Sequence, residues 1–263
     1  MVRNLVANKI LWLLTGLLSL MAALFGVVNP AVYRNLVNTE ITPAVFGQDL
    51  LTIAASVTIL LLAVRIKNGD SKKQIVILGL LGYLFYAYGI YVIERIYNML
   101  YYLYLAIFGL SFWSIIYNTA NILPETLQKV QLPRLMRKVS ATFSLLVAVV
   151  FNVLWIIQLL PLVQSGEKIE FMYSIYILDL CFIMPAFIIL GIMTIMKKGA
   201  GLLLTPAMFI FGFTLIVSLA VSEMVKPLYD LEISMSALLP SLILSLLFLI
   251  LAFLHLRELK LYS

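Results

Sequence analysis

Eight stretches of apolar sequence, each about as long as a membrane-spanning helix, set the strongest limit on what this chain folds into. A helix that crosses the hydrocarbon core of a bilayer needs about 20 predominantly apolar residues. Such stretches lie at about 9–28, 44–66, 74–94, 98–118, 139–161, 171–196, 201–222 and 235–256. The sequence therefore predicts an all-α fold, a polytopic transmembrane helical bundle with eight spans.

The composition of the chain leaves little sequence for a soluble domain beside the spans. Of the 263 residues, 63% are hydrophobic and only 11% are charged, whereas a soluble domain of this size carries about 25% charged residues. We therefore expect no separate soluble catalytic or nucleotide-binding domain. The first apolar stretch follows a basic start and could be read as a signal sequence, but it is long and ends in Asn29-Pro30 without a small-residue cleavage site, so we treat it as a span.

The basic residues divide unequally between the two sides that an eight-span topology defines. The amino terminus, the carboxyl terminus and alternate loops carry fourteen Lys and Arg residues, and the opposite loops carry four. Because cytoplasmic loops are enriched in Lys and Arg, this partition predicts a multi-pass protein of the cell membrane with both termini cytoplasmic. The net charge of +6 is then explained by topology and anionic lipid, and nucleic acid is not expected as a partner.

The chain offers few residues for metal or cofactor chemistry. Cys181 is the only cysteine and His255 the only histidine, which argues against a disulfide, a multi-histidine zinc site and a bis-histidine haem. We predict no metal and no cofactor. His255 lies at the cytoplasmic end of the last span, where an interfacial position is a simpler interpretation than a ligand.

The sixth span combines a full charge with a helix breaker. Asp179 lies about 10 Å in from the start of this span at 1.5 Å of rise per residue, and Pro185 follows it. Proline removes an amide donor and clashes with the carbonyl four residues earlier, so we expect a bend near Cys181. A carboxyl group within a span faces a protein interior or an aqueous cavity. Asp179 is therefore either a structural hydrogen-bonding group or part of a ligand or ion site.

Spans two and three carry a second set of polar residues. Asp49, Thr52 and Ser56 share one face of span two, and Tyr83, Tyr86 and Glu94 share one face of span three. Tyr83 and Tyr86 lie deep in their span, so we expect their hydroxyl groups to meet polar partners inside the bundle. The later tyrosines are better explained as an interfacial aromatic belt, and these are Tyr97, Tyr101, Tyr102 and Tyr104.

Residues 119–138 form the longest polar linker and divide the spans four and four. Apolar and basic residues alternate in this linker, which predicts an interfacial amphipathic segment on the cytoplasmic face, broken at Pro133. Contact with lipid is the simpler role, and a protein partner is the alternative. The expected organisation is thus a first transmembrane unit at 1–118, the linker at 119–138 and a second transmembrane unit at 139–263.

A single offset along the sequence, the one that carries Asp49 onto Asp179, aligns several features of the two halves. With this offset Glu94 falls within one residue of Glu223, and further coincidences join Lys67 to Lys197, Gly69 to Gly199 and Pro30 to Pro161. Apolar sequences match one another easily, so chance is the rival explanation. A true tandem duplication would give two parallel four-helix repeats related by a pseudo-two-fold axis along the membrane normal.

Under the duplication, the two aspartates would face each other across the axis and share protons. Glu94 and Glu223 would lie nearer the outside, with Tyr176 beside Asp179. We therefore predict an acidic, tyrosine-containing ligand site in the outer half of the bundle, formed by Asp49, Thr52, Ser56, Tyr83, Tyr86, Glu94, Tyr176, Asp179 and Glu223.

Three short patterns resemble those of a family of uncharacterised eight-span integral membrane proteins of bacteria and archaea. They are QDLLT at 48–52, GYLFYAYGIY at 82–91 followed by Asn98, and ILDLCFIMP at 177–185. The first-half match departs at 100–104. The family has no established activity, so the resemblance implies an architecture and a set of recurrent positions rather than a reaction.

Three functions follow as hypotheses. The first is binding or transport of a small solute, cationic or proton-coupled, at the acidic site. The second is a membrane-embedded enzyme that uses Asp49 and Asp179 as acid and base; it lacks a visible nucleophile, metal cluster or cofactor motif. The third is a non-catalytic membrane subunit that binds a partner through 119–138. The sequence does not decide whether the protein is an enzyme.

Overall fold

The computed structural model of the protein describes residues 1–169 and 172–261. Its residues are 81% helical, and the described part of the chain contains no strand. Two isolated antiparallel bridges, Val2 with Ile122 and Gln131 with Lys260, are the extended pairings in this part of the chain. The predicted all-α fold is confirmed.

Eight helices among the described residues are long and apolar enough to cross a membrane. We number the helices in chain order as α1 (Leu5–Val28), α2 (Thr42–Arg65), α3 (Ser71–Ile93), α4 (Tyr101–Ala120), the short α5 (Pro124–Lys129), α6 (Arg134–Ser165), α7 (Tyr173–Ile195), α8 (Gly199–Val225) and α9 (Met235–Glu258). All except α5 are candidate spans, so the chain is a multi-pass integral membrane protein. Residue 171, where the sixth span was predicted to begin, lies outside the described residues.

Capping residues set the ends of several helices, and a hydropathy pattern does not identify such residues. The side chain of Asn4 accepts a hydrogen bond from the Ala7 amide at the start of α1, as an N-cap residue does. Pro133 immediately precedes α6, so this helix starts inside the predicted linker and runs for 32 residues. Gly166 adopts a left-handed conformation at its end, which suits glycine because it has no Cβ.

The centre of the linker after α4 is buried and is hydrogen-bonded to the carboxyl-terminal segment of the chain. Val130 and Leu132 are buried, and Gln131 exchanges two backbone hydrogen bonds of 3.0 Å with Lys260. The break predicted at Pro133 coincides with the start of α6. Leu135 is 76% exposed, so one of the apolar side chains of the predicted amphipathic segment is free to contact lipid.

The chain forms two compact units. Unit 1 contains Met1–Leu123 and Ala207–Phe253, and unit 2 contains Pro124–Pro206 and Leu254–Ser263. In unit 1, the first four spans pack with each neighbour in sequence and α1 also packs on α4. In unit 2, α6 packs along α7. His255 lies in unit 2, where its Nδ1 is 2.8 Å from Ser140 Oγ and its Nε2 is 2.8 Å from the Leu202 carbonyl. It is fully buried, so the interfacial interpretation is wrong.

Candidate functional site

Asp49 is the centre of a buried polar cluster in unit 1. Its side chain is only 1% exposed. The Tyr33 hydroxyl donates to Asp49 Oδ2 at 2.7 Å, and the Tyr91 hydroxyl donates to Oδ1 at 3.0 Å. Both carboxyl oxygens therefore have a phenolic donor, which is the arrangement that stabilises a charged or polar carboxyl group away from water.

Two local features of the chain bring Tyr33 to Asp49. After α1, Pro30–Tyr33 forms a 3-10 turn that directs the Tyr33 side chain into the unit, where it is buried. In α1 itself, Gly26 lies directly against the pair: a Cβ at this position would meet the Asp49 carboxyl group and the Tyr33 hydroxyl. The absence of a side chain at residue 26 is thus what allows the carboxyl group to approach the α1 backbone.

Four tyrosines pack around the carboxyl group, and we call them the tyrosine cluster: Tyr33, Tyr88, Tyr91 and Tyr104. Neighbouring rings have centroids 5.0–6.0 Å apart, a spacing typical of favourable aromatic pairs. The Asn98 amide donates to the Tyr104 hydroxyl at 3.0 Å. Tyr104 is fully buried, so placing it in an interfacial belt was wrong.

Tyr33 is the one member of the tyrosine cluster that lies outside the spans, and it remains protonated. Burial, and secondly the neighbouring Asp49, raise the pKa of Tyr33 well above its ordinary value. Its hydroxyl therefore stays a donor to the carboxyl group throughout the physiological range.

Thr52 and Tyr83, two of the predicted site residues, lie next to this cluster along α2 and α3. The Tyr83 hydroxyl donates to the Gln48 carbonyl at 3.0 Å and lies 3.4 Å from Thr52 Oγ1. Both residues are buried. The expectation that Tyr83 meets polar partners inside the bundle is confirmed, while the ring of Tyr86 packs against Phe211 with centroids 5.8 Å apart.

The other predicted residues of unit 1 have separate surroundings. Ser56 Oγ lies 2.8 Å from Ser19 Oγ and so joins α2 to α1. Glu94 is half-buried at the carboxyl end of α3. Glu223 forms an ion pair of 2.7 Å with Lys226, and it accepts a hydrogen bond from the Ser234 amide. The charge of Glu223 is thus balanced at the end of α8 by a residue three positions further along the chain.

Asp179 in unit 2 is buried at 4% exposure and accepts a hydrogen bond of 2.7 Å from the Trp155 indole. The expectation of a buried, hydrogen-bonded acid is confirmed. A π-helical turn spans Asp179–Ile183 within α7, and the Met184 amide bonds to the Asp179 carbonyl. This turn lies directly before Pro185, where the sequence predicted a departure from regular helix.

Tyr176 lies beside the same indole. Its ring packs edge-on against Trp155 with centroids 5.5 Å apart, and its hydroxyl donates to Gln158 Oε1 at 3.1 Å. An open groove of about 450 Å³ runs past this ring, lined mostly by apolar residues of α6 and α7 and by the exposed thiol of Cys181.

The structure thus groups Asp49 with Thr52 and Tyr83 in unit 1, and Tyr176 with Asp179 in unit 2. That the two aspartates face each other stays a prediction. Sequence reasoning missed the direct partners of both acids, which are Tyr33, Tyr91 and Trp155. The run of tyrosines at 83–91 was the available signal for Tyr91, but a tyrosine-rich helix does not reveal which hydroxyl groups reach an acid.

Residues 1–169 and 172–261 contain no group of three or more His, Cys, Asp or Glu side chains that could hold a metal ion. Comparisons with protein-family models, curated proteins and solved structures gave no match to this chain. Function is therefore inferred from the geometry around the two aspartates.

Proposed function

We propose that unit 1 binds a small cationic solute at Asp49, within the tyrosine cluster, in exchange for a proton. The observation that carries this proposal is a buried carboxyl group without a countercharge. Among the described residues, no Lys, Arg or His lies within ion-pair distance of Asp49. A buried carboxyl group of this kind is either protonated or matched by a bound cation.

The surrounding aromatic groups favour an organic cation. Cations are attracted to the faces of aromatic rings, and ammonium ions are commonly recognised by a set of such rings near an acid. The tyrosine cluster supplies four buried rings at this position. The hydroxyl groups of Tyr33 and Tyr91 hold the carboxyl group in place, so an entering cation meets a preorganised charge.

The exchange conserves charge. Protonated Asp49 releases one proton and the carboxylate receives one monovalent cation, so the unit carries the same net charge before and after. The proton and the cation therefore compete for one site. A protein with this property couples solute binding to the pH of the compartment that the site faces.

We propose with this function that the site lies in the outer half of a cell-membrane protein with both termini cytoplasmic. The fourteen-to-four division of Lys and Arg supports this orientation. Asp49 lies seven residues into α2, about 10 Å along its axis. In the proposed orientation α2 starts on the outer side, so the solute enters from outside.

A tandem duplication is part of the proposal, and packing within each unit supports it. In unit 1 the Asp49 carboxyl group lies against Gly26 of α1. In unit 2 the Asp179 carboxyl group lies against Trp155 of α6. The offset that carries Asp49 onto Asp179 also carries Gly26 to within one residue of Trp155. This correspondence favours a common packing register for the two helix pairs, with an indole in unit 2 at the level that a glycine occupies in unit 1.

The difference between glycine and indole suggests different roles for the two acids. Gly26 leaves the Asp49 carboxyl group beside bare helix backbone, whereas the Trp155 indole donates directly to Asp179. We assign solute binding to Asp49 and a structural role to Asp179. Asp179 is then the matched control for every experiment on Asp49.

The test is a thermal-unfolding measurement on the purified protein with methylammonium chloride or tetramethylammonium chloride, against sodium chloride at equal ionic strength. A ligand that binds only the folded state raises the midpoint of unfolding. We expect at least one organic cation to stabilise the parent protein and Asp179→Asn, but not Asp49→Asn. Equal stabilisation of Asp49→Asn would contradict the proposal, as would no stabilisation by any of these cations.

A further inference from the structure

The start of α2 packs closely against the end of α8. A Cβ at Gly47 would meet the backbone of Ser222, and the Ser222 hydroxyl donates to the Ala44 carbonyl at 3.4 Å. Both helix ends belong to unit 1. The residues that follow α8 are therefore placed beside the first turns of α2, which lead along the helix to Asp49.

A 3-10 turn at Lys226–Tyr229 follows α8 directly and packs on α2. The ring of Tyr229 lies edge-on against the ring of Phe46, with centroids 6.2 Å apart. Phe46 precedes Asp49 by three residues, so the two side chains are neighbours on the surface of α2. The Asp49 carboxyl group is also close enough to act electrostatically on Tyr229. Tyr229 therefore lies near the acid, on the side of the start of α2.

Asp49 thus has a tyrosine nearby from each of two 3-10 turns. The turns Pro30–Tyr33 and Lys226–Tyr229 both end in tyrosine. Tyr33 is only 4% exposed and donates to the carboxyl group, whereas Tyr229 is half-buried. Part of the Tyr229 ring is therefore uncovered and available to a solute, while Tyr33 is fixed to the acid.

An ion pair ties the second turn to the end of α8. Lys226 lies 2.7 Å from Glu223, and this pairing neutralises Glu223, so Glu223 does not compete with Asp49 for a cation. Asp230, directly after Tyr229, is exposed. Its negative charge favours the approach of cations to this end of the unit.

Asp49 is 1% exposed, so a solute reaches the carboxyl group when a neighbouring side chain moves aside. We propose that Tyr229 is the outer aromatic residue of the solute site: its ring moves away from Phe46 to admit the cation and then covers the cation bound at Asp49. A cation is attracted to the face of such a ring. This role rests on the proposed function, which supplies both the cation and the acid.

The first experiment measures the apparent affinity for tetramethylammonium from unfolding midpoints over a range of concentrations. Tyr229→Leu removes the ring, and we expect it to raise the half-stabilising concentration about fivefold, as loss of a cation–π contact at a partly exposed site does. Tyr229→Phe keeps the ring and should match the parent protein. Tyr97→Leu is the matched control and should also match the parent, because Tyr97 is 63% exposed and packs on Tyr101.

Two results of this experiment would overturn the role of Tyr229. One is a Tyr229→Leu protein with the affinity of the parent. The other is an equal loss of affinity in Tyr229→Phe and Tyr229→Leu, because that result would assign the effect to the hydroxyl group rather than to the ring.

The second experiment locates the bound cation by protection of a cysteine. Tyr229→Cys and Leu228→Cys are labelled with a maleimide in the full-length protein whose Cys181 is replaced by serine. Tetramethylammonium at about ten times its apparent Kd should slow the labelling of residue 229 about tenfold by mass action, and this protection should vanish when Asp49→Asn is added. Leu228, in the same turn, is 72% exposed, so its labelling should not change. Equal protection at both positions, or no protection at residue 229, would contradict the proposal.

Solute binding separates failure of this role from failure of the site. If no organic cation stabilises the parent protein, the proposed function is refuted and the role of Tyr229 falls with it. If a cation stabilises the parent and Asp179→Asn but not Asp49→Asn, the proposed function stands. In that case, parental affinity in Tyr229→Leu and unprotected labelling at residue 229 refute the role of Tyr229 alone.

Discussion

The hydroxyl group of Tyr33 and Oδ2 of Asp49 are 2.7 Å apart, although one residue belongs to a 3-10 turn and the other to the following span. This hydrogen bond holds the segment that connects α1 to α2 against the Asp49 carboxyl group. Because Gly26 lies against both groups, the pair is fixed from three segments of the chain. The Asp49 carboxyl group is therefore held in one position by contacts with its surroundings.

Removing the Tyr33 hydroxyl should weaken the protein and the site together. Tyr33→Phe deletes a hydrogen bond to a buried carboxyl group, so we expect the free energy of unfolding to fall by about 1.5–3 kcal/mol. Thermal or denaturant unfolding in detergent measures this change. Tyr102→Phe is the control, since Tyr102 is 85% exposed. Equal effects of the two substitutions would contradict the importance of the Tyr33–Asp49 contact.

A methyl group at residue 26 should displace the acid from the α1 backbone. We expect Gly26→Ala to destabilise the protein by about 1–3 kcal/mol, as overpacking of a filled interior does, and to abolish organic-cation binding. Gly109→Ala is the matched control, because a Cβ at this position in α4 meets no atom within 4 Å. Unfolding midpoints with and without methylammonium test both effects. A fully stable Gly26→Ala that still binds would show that the close approach is not required.

The cation and the proton should compete for Asp49. Lowering the pH protonates the carboxyl group and removes the charge that holds the cation, so the stabilisation by methylammonium should decrease as the pH falls. The measurement is the shift in unfolding midpoint at fixed methylammonium concentration across a pH series. The dependence should vanish in Asp49→Asn. A shift that is constant with pH in the parent protein would exclude proton exchange at this site.

In unit 2, the indole of Trp155 and Asp179 should be energetically coupled. Trp155→Phe leaves the buried carboxyl group without this donor and should cost about 1–3 kcal/mol, whereas Asp179→Asn should keep the fold, because an amide oxygen still accepts from the indole. In a double-mutant cycle, Trp155→Phe should cost less when residue 179 is already leucine. Additive effects would mean that the hydrogen bond between the indole and the carboxyl group contributes nothing to stability.

Cysteine labelling tests the proposed topology in a variant whose native Cys181 is replaced by serine. Thiols introduced at the exposed positions Thr39, Lys168 and Glu232 should react with a membrane-impermeant maleimide in intact cells. Thiols at Asn68, Gln128 and Lys198, which are also exposed, should react only after permeabilisation. Reaction of Gln128→Cys from outside would refute cytoplasmic termini.

The sequence by itself determined the eight spans and the fold class. Hydropathy is a local property, and the bilayer thickness imposes one length on every span, so the predicted segments agree with helices such as Leu5–Val28 and Met235–Glu258. Burial of Asp179 was predictable for the same reason, because an acid in a span needs a protein environment. The irregular turn before Pro185 followed from the missing amide of proline.

Only the tertiary structure decided which groups meet these acids. Tyr33 and Tyr91 reach Asp49 from 16 and 42 residues away, and Tyr104 is buried within the same cluster rather than at an interface. Such contacts depend on the turn after α1, on the register between helices and on a glycine that lets two helices approach. None of these features is a property of the hydropathy of one segment. The sequence therefore revealed the aspartate and the tyrosine-rich helix separately, but it did not reveal that they contact each other.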